Sequence, residues 1–185
     1  MHLFVLSFFL IFHPTPGQDL VKTQVTENIT MPIPGEFRLM TDDEIASKYF
    51  TTTKPLVLYT NPDLTIDLGV NKSVTQWAAK DLEIMVSFQK SNIYNLYDDI
   101  QMLSEGTQEI NGRQFAHLEF ISTVKPDADS FRQEGNIQKY TYMQYVIIGQ
   151  STLVFNFTAP IELKETWQST AHEIMQGVHI KGKLK

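Results

Sequence analysis

Residues Gly149–Pro160, GQSTLVFNFTAP, compress a turn, a strand and a helix start into one short stretch, and their reading decides the fold. Gly149-Gln150 supplies turn chemistry between two β-rich runs, Ile137–Ile148 and Ser151–Thr158, so the pair reads as a hairpin. Leu153, Phe155 and Phe157 stand two apart and share one face of the second strand, the face that buries. Pro160 suits a first helical turn, where a missing amide costs nothing. Beyond it Leu163, Trp167, Ala171, Ile174 and Val178 recur at helical spacing, and Gly177 is a C-terminal stop. Every residue here has a structural task, and none is left over for catalysis.

Working outward, Asn111-Gly112 is the strongest short hairpin signal in the chain and joins Ile100–Ile110 to Arg113–Val124. Ala116, Leu118 and Phe120 point to one face, with Phe115, His117, Glu119 and Ile121 on the other. Both faces are substantially apolar, so this strand is covered on both sides. A polar loop, Lys125–Asn136, follows it. PLVLYT and LTIDLGV flank the turn tripeptide Asn61-Pro62-Asp63 and read as a further hairpin.

Two capping boxes mark helices. Thr41–Glu44 opens a short one, Asp42–Phe50, and its acidic first turn suits the positive end of the helix dipole, which accounts for Asp42, Asp43 and Glu44 without a metal. Ser73–Gln76 opens a second, about Val74–Gln89, whose face is traced by Val74, Ala78, Leu82, Met85 and Gln89, with Trp77 and Phe88 alongside. SNIYNLYDD, Ser91–Asp99, breaks that pattern and reads as a connecting loop. Glu36–Met40 is a short strand, and residues 18–35 form a polar lead-in, leaving 36–185 as one domain.

The 185 residues carry 15 Lys and Arg against 21 Asp and Glu, a formal charge of −6, with no block of like charge. A phosphate-binding footprint needs clustered basic side chains, so no nucleic-acid partner is expected. The lack of any cysteine removes disulfides, thiol catalysis, iron–sulfur ligation and Cys-based zinc sites together. At the N-terminus, Leu3–Phe12 (LFVLSFFLIF) has only Ser7 polar, is about half a bilayer span long, and runs into HPTPGQ. It reads as a signal peptide over 1–17 cleaved after Gly17, with only His2 in its n-region beyond the start amine; a misplaced start or a buried N-terminal strand is the alternative. No second long apolar run follows, so no stable membrane anchor is expected and the compartment is periplasmic or extracellular. Sequons at Asn28, Asn71 and Asn156 read as chance, Asn156 lying between two aromatics in a strand.

With GQSTLVFNFTAP, the amphipathic helix bearing Trp167 and the closing IMQGVHIK, the chain resembles the PsbP-like superfamily, which includes PsbP, the Ran-binding Mog proteins and DcrB-like bacterial envelope proteins. The element order from Phe37 to Ile180 (helix, hairpin, helix, hairpin, hairpin, helix) is similar as well. The resemblance implies an α+β fold, an α/β/α sandwich with a mainly antiparallel sheet, and a protein-binding role. It supplies no catalytic residues to carry over.

His117 and Glu119 project to one strand face, and His172 or His179 would be needed as a third ligand to make a zinc or iron site. A strand His beside a Glu is the commoner pattern of a hydrogen-bonded pair under a helix. Asp127-x-Asp129 opens like a calcium loop, but Phe131 holds the next ligand position and Gly135 comes too late. There is neither a G-x-S-x-G elbow nor a G-x-x-x-x-G-K loop. No catalytic residue, metal or cofactor is therefore expected. Tyr94, Tyr97, Tyr140 and Tyr142 are the candidate partner-binding residues, because tyrosine brings large contact area with few rotors. The expected function is an exported, non-catalytic binding module for an unidentified protein partner, or an envelope accessory role. The alternatives are a small-molecule or lipid-binding protein with a cleft between the sheet and the helix after Ser73, and an enzyme with a dispersed site near His117.

Overall fold

Four long strands whose side chains alternate between two packed faces set the architecture. In the computed structural model, which describes residues 18–49, 54–126 and 135–182, they are β6 (Asp99–Ile110), β7 (Arg113–Val124), β8 (Ile137–Ile148) and β9 (Ser151–Pro160). They follow β1 (Leu20–Gln24), β2 (Ile29–Pro34), β3 (Arg38–Leu39), α1 (Asp42–Lys48), β4 (Val57–Thr60), β5 (Asp67–Lys72) and α2 (Leu82–Leu96), and precede α3 (Lys164–Gln176) and β10 (His179–Ile180). One seven-stranded sheet has the order β3-β4-β5-β9-β8-β7-β6, antiparallel at every step. A second, of order β1-β2-β10, is also antiparallel.

The two strongest turn signals fold as read. Asn111 and Gly112 both take positive φ, 49° and 76°, the two-residue loop that matches strand twist. Gly149, at φ 66°, turns β8 into β9 with Ile148 opposite Ser151. On one sheet face Phe115, Tyr140, Leu153, Phe155 and Phe157 pack with Trp167, Ala171, Ile174 and Met175 of α3. On the other, Ala116, Leu118, Phe120 and Tyr145 pack with Leu82, Met85 and Ile93 of α2. The result is an α+β, α/β/α arrangement on a wholly antiparallel main sheet.

Four readings are corrected. The helix after Ser73 begins at Leu82, after a 3₁₀ turn Ala79–Asp81, and not at Val74. Ser73 Oγ does accept an amide, but that of Thr75, closing a local turn, and Val74 is 85% exposed. The stripe that meets the sheet is Leu82, Met85 and Ile93, so the helix continues through SNIYNL to Leu96, and tertiary burial of Ile93 outranks the local preference of Ser and Asn for loops. Residues 18–35 are a hairpin rather than a lead-in: Ile29, Met31 and Ile33 are 1%, 1% and 4% exposed. Pro32 and Pro34 disguise that strand, and they are tolerated because β10 pairs only with Ile29 and Thr30. Finally, α1 stops at Lys48, short of Phe50, which with the proposed signal peptide and the Asp127–Asp129 loop lies outside the described residues.

Gly177 does follow α3, but at φ −83°, an ordinary value for any residue. Its requirement is steric, since a Cβ there would come within 2.2 Å of Pro32 Cγ and 2.6 Å of Pro32 Cδ.

Candidate functional site

Alternation along β7 sends His117 and Glu119 to the α3 face, and the register with β8 sets Glu119 opposite Tyr142 and His117 opposite Gln144. Helical spacing places Gln168 and His172 one turn apart above them. Glu119 Oε1 therefore accepts three hydrogen bonds, from Tyr140 Oη at 2.8 Å, Gln168 Nε2 at 2.7 Å and His172 Nε2 at 3.0 Å. Burial pushes this carboxyl upward, but the bonds from His172, Tyr140 and Gln168 more than offset it and hold it at about 2. The bond to Glu119 in turn raises His172, against a smaller opposing effect of burial. Burial and the Glu119 carboxylate together push Tyr140 upward, so it stays protonated as a donor.

His117 occupies a separate setting across Tyr142. Its ring stacks on Tyr142 at 5.7 Å and 17°, while His172 meets Tyr142 edge-on at 5.1 Å. His117 Nε2 lies 3.0 Å from Ser104 Oγ, its buried Nδ1 has no partner among the described residues, and burial lowers its pKa. In a Ser–His–Asp triad a carboxylate holds that Nδ1. Glu119 is committed elsewhere, so the Ser104–His117 pair has no orienting acid. Gln108 and Gln144 extend the polar seam, with Gln176 Nε2 donating to Gln108 Oε1 at 2.7 Å and Gln144 Nε2 to the Met175 carbonyl at 3.2 Å. The seam ties α3 to the sheet.

His179 and the four candidate tyrosines fall in three different places. His179 is in β10 opposite Thr30 and does not join His117 and Glu119, and no group of three metal-ligating residues occurs among the described residues. Tyr140 and Tyr142 are 0% and 3% exposed beneath α3, so they offer no contact surface and act as core, Tyr140 donating to Glu119 and Tyr142 accepting from Gln108 Nε2. Tyr94 and Tyr97 lie at the end of α2 instead of on a loop. Tyr94 is 46% exposed, and Tyr97, half-buried, packs on Phe120 at a ring distance of 6.3 Å.

The opposite face of the sheet is only partly covered. Alpha-helix α2 contacts β6, β7 and β8, leaving a cleft of about 500 Å³ over β8, β9 and β5. Leu96, Tyr97, Phe120 and Met143 form its apolar side, and Asn71, Asn156, Thr141 and Thr158 its polar wall. The signal was present in β9, where Val154, Asn156 and Thr158 alternate with the buried Leu153, Phe155 and Phe157. Gly69, paired with Asn156, leaves room for that side chain: a Cβ would come 2.7 Å from Asn156 Oδ1, the atom that accepts from Asn71 Nδ2 at 3.2 Å. Two of the three sequon asparagines are thus bonded to each other on the cleft wall. A row of exposed apolar side chains borders the same helix, with Ile84 64%, Phe88 49% and Leu96 71% exposed.

No protein-family model matches the chain, and no curated protein sequence does. Among solved structures it is similar to cyanobacterial PsbP from Synechocystis, with a TM-score of 0.57 at 8% identity over 96% of this chain and 99% of that one. LpqN of Mycobacterium tuberculosis, described as involved in cell envelope biogenesis, gives 0.57 at 13% identity over 89% and 91%. The Saccharomyces cerevisiae Ran-binding protein Mog1p gives 0.57 at 13% identity over 89% and 96%.

Proposed function

We propose that this chain, whose fold is the PsbP-like and Mog-type one, is an exported, non-catalytic binding module that takes a protein partner on the α2 side of its sheet. The observation that carries this reading is the exposed apolar side of α2, where Leu96 stands on the wall of a cleft and Ile84 and Phe88 are exposed further along the helix. Apolar side chains of this size, bordered by polar ones, mark contact surfaces. The α3 side supports the same view, because its buried carboxylate, Glu119, is spent on Tyr140, Gln168 and His172. Mog1p is a Ran-binding protein and LpqN takes part in envelope biogenesis; a partner in an envelope or lumenal compartment fits the proposed signal peptide at 1–17.

The test is a photo-crosslinking residue placed at Leu96 in the full chain, in its native cells, with exposed Ser169 of α3 as the control site. The expected result is a discrete adduct from position 96 alone, on a bait whose mature terminus is Gln18. Adducts of equal yield from both positions, or from neither, count against the reading, and an intact Met1 counts against export.

The cleft itself favours a second reading, a small apolar ligand held over Met143. Its volume suits a drug-sized or acyl-chain molecule. A co-purified small molecule in native mass spectra, lost on Met143→Glu, is the result that would put this reading first.

A further inference from the structure

The main sheet ends at β6, and no other described strand pairs with the outer edge of its twelve residues. An unpaired edge of this length is a template for another strand unless it is blunted. A bulge between Met102 and Ser104 interrupts the half near Asp99, but from Ser104 to Ile110 the register with β7 is regular. The two-residue Asn111-Gly112 loop makes Ile110 and Arg113 a closing pair, so by antiparallel alternation Glu105, Thr107 and Glu109 turn their backbone N–H and C=O groups outward. Beside this half of β6, α2 builds a groove of about 490 Å³, with Val86 and Ser87 on its wall and Gly106 and Thr107 along the strand. A strand edge flanked by a helix is the setting in which an extended peptide gains main-chain hydrogen bonds from the edge and side-chain contacts from the helix.

We infer that the Ser104–Ile110 edge and the groove beside it take an extended, basic segment of the protein partner as an added strand. This rests on the protein-binding reading and names the form of the partner. Charge selects the occupant. Strand β6 carries Asp99, Glu105 and Glu109 with no Lys or Arg, and Glu83 lines the groove opposite. The one cation there, Lys90, is held by Glu105 at 2.6 Å. A second copy pairing edge to edge would oppose acidic strands across the two-fold, whereas a segment bearing Lys or Arg meets complementary charge.

The experiment uses the ¹⁵N-labelled mature protein and a capped octapeptide alternating Val and Lys, with amide exchange as the readout. Exchange at Glu105, Thr107 and Glu109 slows about tenfold at about nine-tenths occupancy. A Val/Glu octapeptide, and a Val/Lys octapeptide N-methylated at alternate amides, give no protection. The exposed-surface variant Glu109→Lys weakens the Val/Lys peptide about threefold without unfolding the protein. Unchanged exchange at millimolar peptide, equal protection by the N-methylated peptide, or protection that grows with protein concentration alone would overturn the inference, the last by placing a second copy on the edge. Failure here with the Leu96 adduct retained removes only strand addition; failure of both removes the binding reading.

Discussion

Gly177→Ala isolates one contact between the two sheets' worth of structure that the helix joins. By intrinsic propensity the change is favourable: φ is −83°, and replacing Gly by Ala at a compatible backbone stabilises by about 0.4–1 kcal/mol through the unfolded chain. The new Cβ, however, would lie 2.2 Å from Pro32 Cγ, while carbon atoms rest at about 3.5–4.0 Å. Pro32 is a closed ring on the backbone of β2, so relief requires that hairpin and the end of α3 to separate by about 1.5 Å. Overpacking of this kind costs about 1–3 kcal/mol, leaving a net loss of about 1–2 kcal/mol and a Tm lowered by about 3–6 °C for a domain of this size. Urea unfolding followed by tryptophan fluorescence reads it directly, since Trp167 sits in the same helix at 5% exposure. Pro32→Ala removes both Cγ and Cδ, so the double variant should recover most of the Gly177→Ala loss beyond what Pro32→Ala costs alone, a coupling of about 1 kcal/mol or more. A Gly177→Ala protein as stable as the parent, or a double variant that is merely additive, would refute the packing argument and return Gly177 to a generic helix stop.

Three further outcomes follow from the same packing and electrostatics. The Glu119–His172 contact makes stability depend on pH with two opposite signs: Glu119, held at about 2 against 4.5, contributes above 4.5 and loses its contribution as pH falls toward 2, whereas His172, raised above 6.5, contributes below 6.5 and loses its contribution as pH rises through its raised value. The contact is therefore fullest between about 4.5 and 6.5; His172→Gln should abolish the alkaline decline of the urea midpoint, with His117, lowered by burial and tilting the other way, left in place, and an unchanged slope between pH 6 and 9 would contradict it. Phe155→Ala empties a fully buried position at the centre of the α3 face and should cost about 3–5 kcal/mol, so an unfolding midpoint within error of the parent would mean that this face is not the core. Leu96→Glu, by contrast, changes a side chain 71% exposed and should shift stability by no more than about 0.5 kcal/mol while abolishing partner crosslinking from a photo-reactive residue placed at Phe88; a large loss of stability would show Leu96 to be packing.

The candidate site was only half legible in the chain. Spacing alone placed His117 and Glu119 together, since two residues apart on a strand share a face whatever lies above. The identity of what lay above was not readable, because Gln168 and His172 reach Glu119 only through the packing of α3 on β8 and β9, about fifty residues away in sequence. Tyr140 and Tyr142 looked like contact residues by composition and turned out to be buried core, Tyr140 donating to Glu119 and Tyr142 accepting from Gln108, for the same reason. The cleft beside α2 depended on a boundary that local signals misplace: Ser73 begins a turn, and only packing of Leu82, Met85 and Ile93 on the sheet decides where the helix starts and stops.

What the sequence by itself determined was the main sheet's hairpins and which side chains of each strand share a face. Turn chemistry at Asn111-Gly112 and Gly149-Gln150 is local, and strand alternation propagates from the turn, so register and facing follow without tertiary information. The tertiary structure alone decided the rest. Strand β10 exists because α3 ends where β2 can receive His179 and Ile180, Gly177 is demanded by Pro32 across that junction, and α2 covers half a face and leaves the other half open. Each of these is a meeting of residues far apart in the chain, set by how apolar surfaces stack and by which atoms then collide, and no short stretch carries a signal for it.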